Sequence, residues 1–439
     1  MPLLSPGTAL GHDWQARFWK LAAANVISNL SVPLAALANT AFLGHLANLD
    51  NLAGVSLAGV LFNYLFKTFA CLRMSTTGLT AQATGRGDAA EGQRVLGRGL
   101  AIALACALGL LLLRDPLRDL GFRMLQAPAD TRAAAIAYYN VLIWAAPAVL
   151  LNYVLLGWFL GTGRARPVLL LSLLGNSLNG LGDAWLIGHL GWGSRGAAVA
   201  TLLSQSTVLL LGLRLAWTAG ARPCWPLGPL GTWQGFARLN RDLFLRTLAV
   251  LTVLGLFTAA SARLGTDLLV ANSLLLQIVL LASYFIDGLA YATETLSGQL
   301  LGQQERSAQA ELLRLGLGLS LTIGLAIATL FCLWPEPLIA LLTPQPVVLA
   351  TARPLLPWLW PVLGLGAIAF LLDGYFLGQS RGRLLRNTML LAAAIFLGVA
   401  LLALQLRSGP LLWLGLSLFM GLRATVLSWA IRADQRSCR

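Results

Sequence analysis

The chain has 439 residues, of which 57% are hydrophobic and only 11% are charged. Because soluble globular proteins carry about 25% charged residues, this composition excludes an ordinary soluble domain and places the chain in a lipid bilayer. The net charge of +14 does not indicate a nucleic-acid partner, since the basic residues lie mostly in short connections between apolar segments, as the positive-inside rule predicts.

Apolar stretches recur along the whole chain, and each is long enough to cross a hydrocarbon core of about 30 Å as a helix. A membrane-spanning barrel strand needs only about ten residues of alternating polarity, whereas these stretches are longer and uniformly apolar. The sequence therefore predicts an all-α polytopic membrane protein. The twelve predicted transmembrane helices are 17–45, 52–80, 94–113, 132–160, 166–190, 195–217, 241–265, 270–300, 312–334, 351–378, 384–405 and 409–432.

The basic residues are distributed unevenly between the two sides of the predicted membrane. Counted together with the adjoining span ends, the two chain ends and the even-numbered connections hold twenty Lys and Arg residues, Arg246 among them, against eight for the odd-numbered connections. Because cytoplasmic loops are enriched in Lys and Arg, both termini are predicted to be cytoplasmic. The third connection, with Arg114, Arg118, Arg123 and Arg132, runs against this bias.

The two halves of the chain repeat one design. GWFLGTGRAR at 157–166 returns as GYFLGQSRGR at 374–383, and LTAQATG at 79–85 aligns with LSGQLLG at 296–302, both at an offset of 217 residues. Six spans per half give both halves the same orientation, so the repeat is parallel, as in transporters that work by alternating access. The predicted domains are an amino-terminal lobe 1–217, a cytoplasmic linker 218–240 and a carboxyl-terminal lobe 241–439.

The fifth predicted span carries a polar helix face. Ser172, Asn176, Asn179 and Asp183 are spaced by four, three and four residues, so they lie on one side of a helix. A charge near the bilayer centre costs on the order of 3 kcal/mol or more, and such residues usually mark an ion path. The alternative is a helix-packing seam joined by amide hydrogen bonds.

The first predicted span contains Pro33 and three asparagines, Asn25, Asn29 and Asn39, in an otherwise apolar run. Proline cannot donate a backbone hydrogen bond, so the carbonyl of Asn29 is expected to be free and the helix to bend. A free carbonyl can hold water, a cation or a substrate donor. A bent helix without any chemistry is the alternative.

The eighth predicted span combines acids with aromatic rings. Asp287 and Glu294 are seven residues apart, as are Tyr284 and Tyr291, and Asp373 adds a further acid in the tenth span. Carboxylates and rings together suit organic cations, which they attract by charge and by cation-π contact. The predicted substrate-cleft residues are Asn29, Asn176, Tyr284, Asp287, Tyr291, Glu294 and Asp373.

Lys67 and Arg73 in the second span offer another interpretation, as structural counter-ions of these acids. No G-x-x-x-x-G-K-[ST] loop is present, so the sequence does not predict ATP hydrolysis by this chain. The histidines occur singly and the five cysteines are scattered, so neither a metal site, a disulfide framework nor a membrane-embedded metal enzyme is predicted.

Six segments, in order along nearly the whole chain, resemble the multidrug and toxic compound extrusion (MATE) family, specifically its DinF branch. The resemblance implies two six-helix lobes and a secondary antiporter that exports organic, mainly cationic compounds in exchange for protons or sodium ions. It implies no cofactor beyond that ion. The segments are NLSVPLAALANTAFLGHL, LRMSTTGLTAQATG, LLGWFLGTGRARPVLLLSLLGNSLNGLGDAWLIG, GAAVAT, YFIDGLAYATETLSGQLLG and LLDGYFLG.

The resemblance also implies a cation-coupling site in the amino-terminal lobe. In this branch the site uses an Asp in the first helix and an Asn and an Asp one turn apart in the fifth. Asn179 and Asp183 match the fifth-helix pair, and Asn152, Thr201 and Tyr139 resemble the polar network around it.

This chain departs from the family at residue 39, where Asn39 stands in place of the first-helix Asp. Asparagine has nearly the shape of aspartate but cannot titrate. Either the chain is an engineered variant that mimics the protonated state, or it is a natural member that uses Asp183 and the second-lobe acids.

The expected partners are small organic substrates and the lipid bilayer of a bacterial inner membrane, and a monomer is the default. A flippase for lipid-linked precursors is the alternative, but it would need a strongly cationic cavity, whereas four acids, Asp183, Asp287, Glu294 and Asp373, lie within the predicted spans. An enzyme would need a nucleophile and a base on facing helices, and the sequence indicates none.

Overall fold

The computed structural model describes residues 14–44, 49–124, 129–222, 229–342 and 346–436, which are helical and contain no strand. The α-helices are α1 (Trp14–Gly44), α2 (Leu49–Thr68), α3 (Cys71–Gly85), α4 (Ala89–Leu112), α5 (Arg114–Met124), α6 (Ala129–Leu142), α7 (Ala146–Gly161), α8 (Ala165–Asp183), α9 (Gly193–Thr218), α10 (Leu230–Leu264), α11 (Thr266–Gly302), α12 (Arg306–Leu333), α13 (Pro335–Leu342), α14 (Pro346–Ala352), α15 (Leu359–Gly378), α16 (Gly382–Gln405) and α17 (Gly409–Arg436). The 3-10 helices are Ile143–Ala145 and Arg353–Trp358, and Ala184–His189 forms a π-helix. The predicted all-α architecture is confirmed.

Within the described ranges, ten helical stretches are long and apolar enough to span a membrane. The predicted spans 17–45 and 166–190 are not among them. For the second of these the reason is chemical, because Asn176, Asn179 and Asp183 lower the mean hydropathy of α8 while leaving it helical. Helix α8 therefore forms in spite of its polar face.

Helix α1 continues through Pro33 up to Gly44. The bend expected at this proline stays a prediction, and the side chain of Asn39 lies outside the described residues. Two other predicted spans are divided: residues 52–80 form α2 and α3, and residues 132–160 form α6, a 3-10 turn and α7.

The chain divides into two compact units. The first unit is Ala23–Phe244, and the second is Leu245–Arg439 together with the part of α1 that ends at Ala22. Helix α10 therefore begins in the first unit and ends in the second. The domain limits predicted from the sequence remain predictions.

Helices α3 and α7 of the first unit pack with their backbones in near contact. A Cβ atom added to Gly157 would lie 2.5 Å from the carbonyl oxygen of Arg73, and one added to Gly161 would lie 2.7 Å from that of Thr77. Only glycine fits such a distance, as in the small-residue packing of membrane helices.

The second unit repeats this packing between α11 and α15. A Cβ on Gly374 would lie 2.5 Å from the carbonyl oxygen of Ala290, and one on Gly378 would clash with the carbonyl of Glu294. All four residues are offset by 217 from their first-unit counterparts. The repeated GWFLG and GYFLG motifs therefore encode one helix-packing contact in each unit.

We expect Gly161→Ala and Gly378→Ala to destabilise the protein by at least 1–3 kcal/mol, roughly the cost of overpacking a tight core. The matched controls are Gly109→Ala and Gly398→Ala, at helical glycines where an added Cβ would meet no atom within 4 Å. These should be neutral or slightly stabilising, because alanine has the higher helix propensity. Thermal unfolding of the detergent-solubilised protein measures the difference, and equal melting temperatures for all four variants would contradict this account.

Candidate cation and substrate sites

Small residues bring α8 and α9 of the first unit together. A Cβ on Gly182 would lie 2.9 Å from the Cβ of Ala200, and the hydroxyl of Ser204 donates a hydrogen bond to the carbonyl of Gly175 at 2.6 Å. The backbones can therefore approach closely, and the polar face of α8 meets polar residues of α9.

Asp183 ends α8 and is only 1% exposed. Its Oδ1 atom has no hydrogen-bond partner within the part of the chain that the structure describes. One turn earlier, Asn179 donates from Nδ2 to Oγ1 of Thr201 at 3.0 Å, and Thr201 donates to the carbonyl of Ala197 at 3.0 Å. Among the described residues no Lys or Arg is paired with Asp183, and a buried carboxylate without a counter-charge is costly, so this group favours binding a proton or a cation.

Tyr138, which the sequence analysis missed, is the tyrosine of this group. Its side chain is 8% exposed, beside Thr201 and within electrostatic reach of Asp183. Tyr139, the residue expected here, instead donates to the carbonyl of Arg114 at 2.8 Å, and its ring packs on Phe62. Adjacent residues of a helix point about 100° apart, so Tyr138 and Tyr139 have different surroundings although they are neighbours in the sequence.

Asn152 of α7 is joined to α9 through Gln205. Its Nδ2 donates to the carbonyl of Gln205 at 3.0 Å and to the side-chain oxygen of the same residue at 3.1 Å. Gln205 lies four residues after Thr201, on the same face of α9. That spacing could have indicated Gln205 in the sequence.

Asn176 of α8 reaches α1. Its Nδ2 donates to Oγ of Ser31 at 2.6 Å, and Ser31 donates to the carbonyl of Ser28 at 2.7 Å. Ser31 precedes Pro33 by two residues, so the polar face of α8 is anchored next to the proline. Ser31 is a functional candidate that its sequence context does not reveal, because the contact depends on a different helix.

The π-helix Ala184–His189 begins directly after Asp183. Such wide turns are rare and often occur at functional sites. The rings of Trp185 and His189 lie 5.3 Å apart on its surface. Asp183 therefore lies where the α-helix changes to a π-helix.

The acids of the second unit have different surroundings. Asp373 is in an ion pair with Arg246 at 2.5 Å and in a second with Arg423, so its partners are neither Lys67 nor Arg73. Glu294 is completely buried on α11. Arg246, one of the twenty basic residues assigned to the chain ends and connections, lies inside α10 instead.

Asp287, Tyr284 and Tyr291 also lie on α11, and all three are partly buried. Tyr284 is within electrostatic reach of Asp287. Of the predicted substrate-cleft residues, these three together provide a carboxylate and two rings that are partly accessible. Among the described residues, no group of three or more His, Cys, Asp or Glu side chains is placed to hold a metal ion.

The sequence model of the MatE family matches residues 25–186 and 243–404, one match in each half of the chain. The chain belongs to this family. DNA damage-inducible protein F of Escherichia coli (strain K12) is 35% identical over 430 residues, which cover 95% of this chain and 92% of the relative. This similarity confirms the predicted DinF branch.

Two further comparisons agree with this membership. A probable multidrug resistance protein NorM of Pseudomonas putida (strain KT2440) is 29% identical over 340 residues, covering 73% of this chain and 71% of its own. The solved structure of a multidrug resistance MATE family transporter of the MOP superfamily, in an outward-facing conformation, superposes with a TM-score of 0.88. It covers 98% of this chain and 99% of its own at 21% identity, which supports the fold alone. The chain is thus an integral membrane transporter of the MATE family, not an enzyme.

We expect Tyr138→Phe to weaken binding of a proton or sodium ion to the group around Asp183 about tenfold, a loss of ~1.4 kcal/mol, because it removes a hydroxyl from that group. Tyr139→Phe is the matched control, since it should cost about 1 kcal/mol of stability, for one lost hydrogen bond, and leave cation binding unchanged. Calorimetric titration of both purified variants with acid or with a sodium salt measures their affinity for each ion. A larger effect from Tyr139→Phe would contradict the assignment.

Proposed function

We propose that this protein is a secondary antiporter that exports organic, mainly cationic compounds in exchange for protons or sodium ions, by alternating access. The observation that carries the proposal is the buried carboxylate of Asp183 beside Asn179, Thr201 and Tyr138 in the first unit. Relatives named for multidrug resistance support the substrate class. The coupling ion is the only cofactor in this proposal.

Burial explains how such a site can couple two fluxes. The ionised carboxylate is expensive in the low dielectric of the protein interior, so the unloaded site favours conformations that admit water or a cation. Loading with a proton or sodium ion removes the charge and with it this preference. A membrane potential adds roughly 2.3 kcal/mol per charge per 100 mV, which suffices to drive concentrative export.

The proposed substrate contacts differ between the units. In the second unit, Asp287 would attract the cationic group, with Tyr284 and Tyr291 supplying ring faces. In the first unit, Asn29 and Asn176 are the candidates. Glu294 and Asp373 are left out of this set, because Glu294 has no exposed surface and Asp373 is engaged by two arginines.

We further propose that the protein works as a monomer in a bacterial inner membrane with both termini in the cytoplasm. The basic residues counted with the chain ends and the even-numbered connections support this orientation, even without the buried Arg246. The flippase alternative gains no support from Arg246 and Arg423, since both are paired with Asp373 rather than presented to an anionic headgroup.

Asp183→Asn should reduce proton- or sodium-driven efflux of a fluorescent cationic dye from proteoliposomes to the level of protein-free liposomes. The amide keeps the shape of the carboxylate but can neither titrate nor neutralise a cation. Asp287→Asn is the control, and it should raise the KM for the dye while leaving the ion dependence unchanged. Ion-driven efflux that survives Asp183→Asn would rule out the proposed coupling residue.

Asn39→Asp should tighten binding of the coupling cation about tenfold, since a second carboxylate at the family's position adds charge to the cation site. Efflux measured against proton or sodium concentration would then reach half its maximum at a lower ion concentration. An unchanged ion dependence would mean that residue 39 takes no part in coupling.

A further inference from the structure

The second unit contains a buried group of three charged side chains, Arg246 of α10, Asp373 of α15 and Arg423 of α17, which we call the Arg–Asp–Arg cluster. Their exposed fractions are 9%, 4% and 1%. The cluster joins three helices and is one of the most buried sets of charges among the described residues.

Both arginines bind the same carboxylate oxygen. Arg246 donates from Nη2 to Oδ2 of Asp373 at 2.5 Å, and Arg423 donates from Nη2 to that same oxygen. The acid is therefore held by two charge-assisted hydrogen bonds, which are among the strongest in proteins.

The guanidinium of Arg423 is fixed on its other sides as well. The rings of Phe370 and Phe419 each have their centroid 5.2 Å from its central carbon. Nη1 also donates to the sulfur of Met420 at 3.3 Å. A side chain packed between two rings is pre-organised, so it would not leave the carboxylate without losing these contacts.

Asp373 already has more positive charge beside it than neutrality requires. Two guanidinium groups bind its single negative charge. No external cation is therefore needed at Asp373. Asp183 of the first unit is in the opposite situation, because one of its oxygens lacks a hydrogen-bond partner in the described part of the chain.

The internal repeat gives neither acid a counterpart. The position equivalent to Asp373 in the first half is Leu156, and the position equivalent to Asp183 in the second half is Ala400. Asp183 and Asp373 thus lie at different positions of the repeat. The two acids differ in whether the protein itself supplies a cationic partner, as it does for Asp373.

We infer that Arg246 and Arg423 act as resident cations that permanently fill the carboxylate site of the second unit, and so restrict the coupling ion to Asp183. The two arginines then set the ion-to-substrate ratio of transport. This inference rests on the proposed function and adds to it the residues that determine coupling stoichiometry. A proton or sodium ion at Asp373 would have to displace a guanidinium and leave it buried without its partner.

Two sets of variants test this inference. The double variant Arg246→Met with Arg423→Met leaves Asp373 without its arginines, and the triple variant adds Asp373→Leu, so that apolar residues replace the whole cluster. Replacing a complete buried ion group by apolar residues is often tolerated, whereas removing one partner is not. Size-exclusion chromatography confirms that each variant is folded before it is assayed.

The readouts are the number of protons or sodium ions bound per purified protein and the ion-to-substrate ratio from reversal potentials in proteoliposomes. The native chain and the triple variant should have the same ratio and one bound ion, which Asp183→Asn removes. The double variant should bind a second ion, which persists in Asp183→Asn and disappears in the triple variant. A merely structural role of the arginines would produce no second ion.

Two results would overturn the inference. One is a folded triple variant with a lower ion-to-substrate ratio than the native chain, and the other is a folded double variant that gains no ion site. If the double variant does not fold, the ion-to-substrate ratio of the triple variant, compared with that of the native chain, tests the inference. Failure of the proposed function looks different, because Asp183→Asn would then leave ion binding by the native chain intact, while the comparison of double and triple variants still reports on Asp373.

Discussion

The interior of a membrane protein offers no bulk water to a charged group, so every buried carboxylate needs a proton, a cation or a guanidinium. This chain meets the requirement in two ways. In the second unit, Arg246 and Arg423 bind Asp373, so the fold itself supplies the positive charge. In the first unit, Asp183 is as deeply buried and has Asn179, Thr201 and Tyr138 around it, which are polar but uncharged. The same constraint therefore produces a paired ion cluster in one unit. In the other unit it leaves a carboxylate oxygen without a hydrogen-bond partner among the described residues, where we propose that the coupling cation binds.

Glycine determines which helices can bring these groups together. Gly157 and Gly161 allow α7 to pack closely on α3, and Gly182 allows α8 to pack closely on α9. Close packing of α8 on α9 brings polar residues of the two helices within hydrogen-bond distance, as Ser204 and Gly175 show.

The fold and the family could be predicted from the sequence because their signals are local or repeated. Apolar stretches of transmembrane length required helices, and the 217-residue offset required two similar halves. The site was only partly predictable. Spacing on one helix placed Asn179 with Asp183, but the partners from other helices, Ser31, Tyr138 and Gln205, depend on how the helices rotate against each other.

The sequence by itself determined that this protein is helical, lies in a membrane, repeats itself and carries acids where lipid would exclude them. Those properties follow from hydropathy and periodicity, which can be read from each segment without knowing its neighbours in space. Only the tertiary structure decided which acids have a counter-charge. Arg246 lies 127 residues from Asp373 in the chain, and Arg423 lies 50 residues away. Electrostatic pairing depends on distance in space, so Asp373 and Asp183 look alike in the sequence and differ in the folded protein.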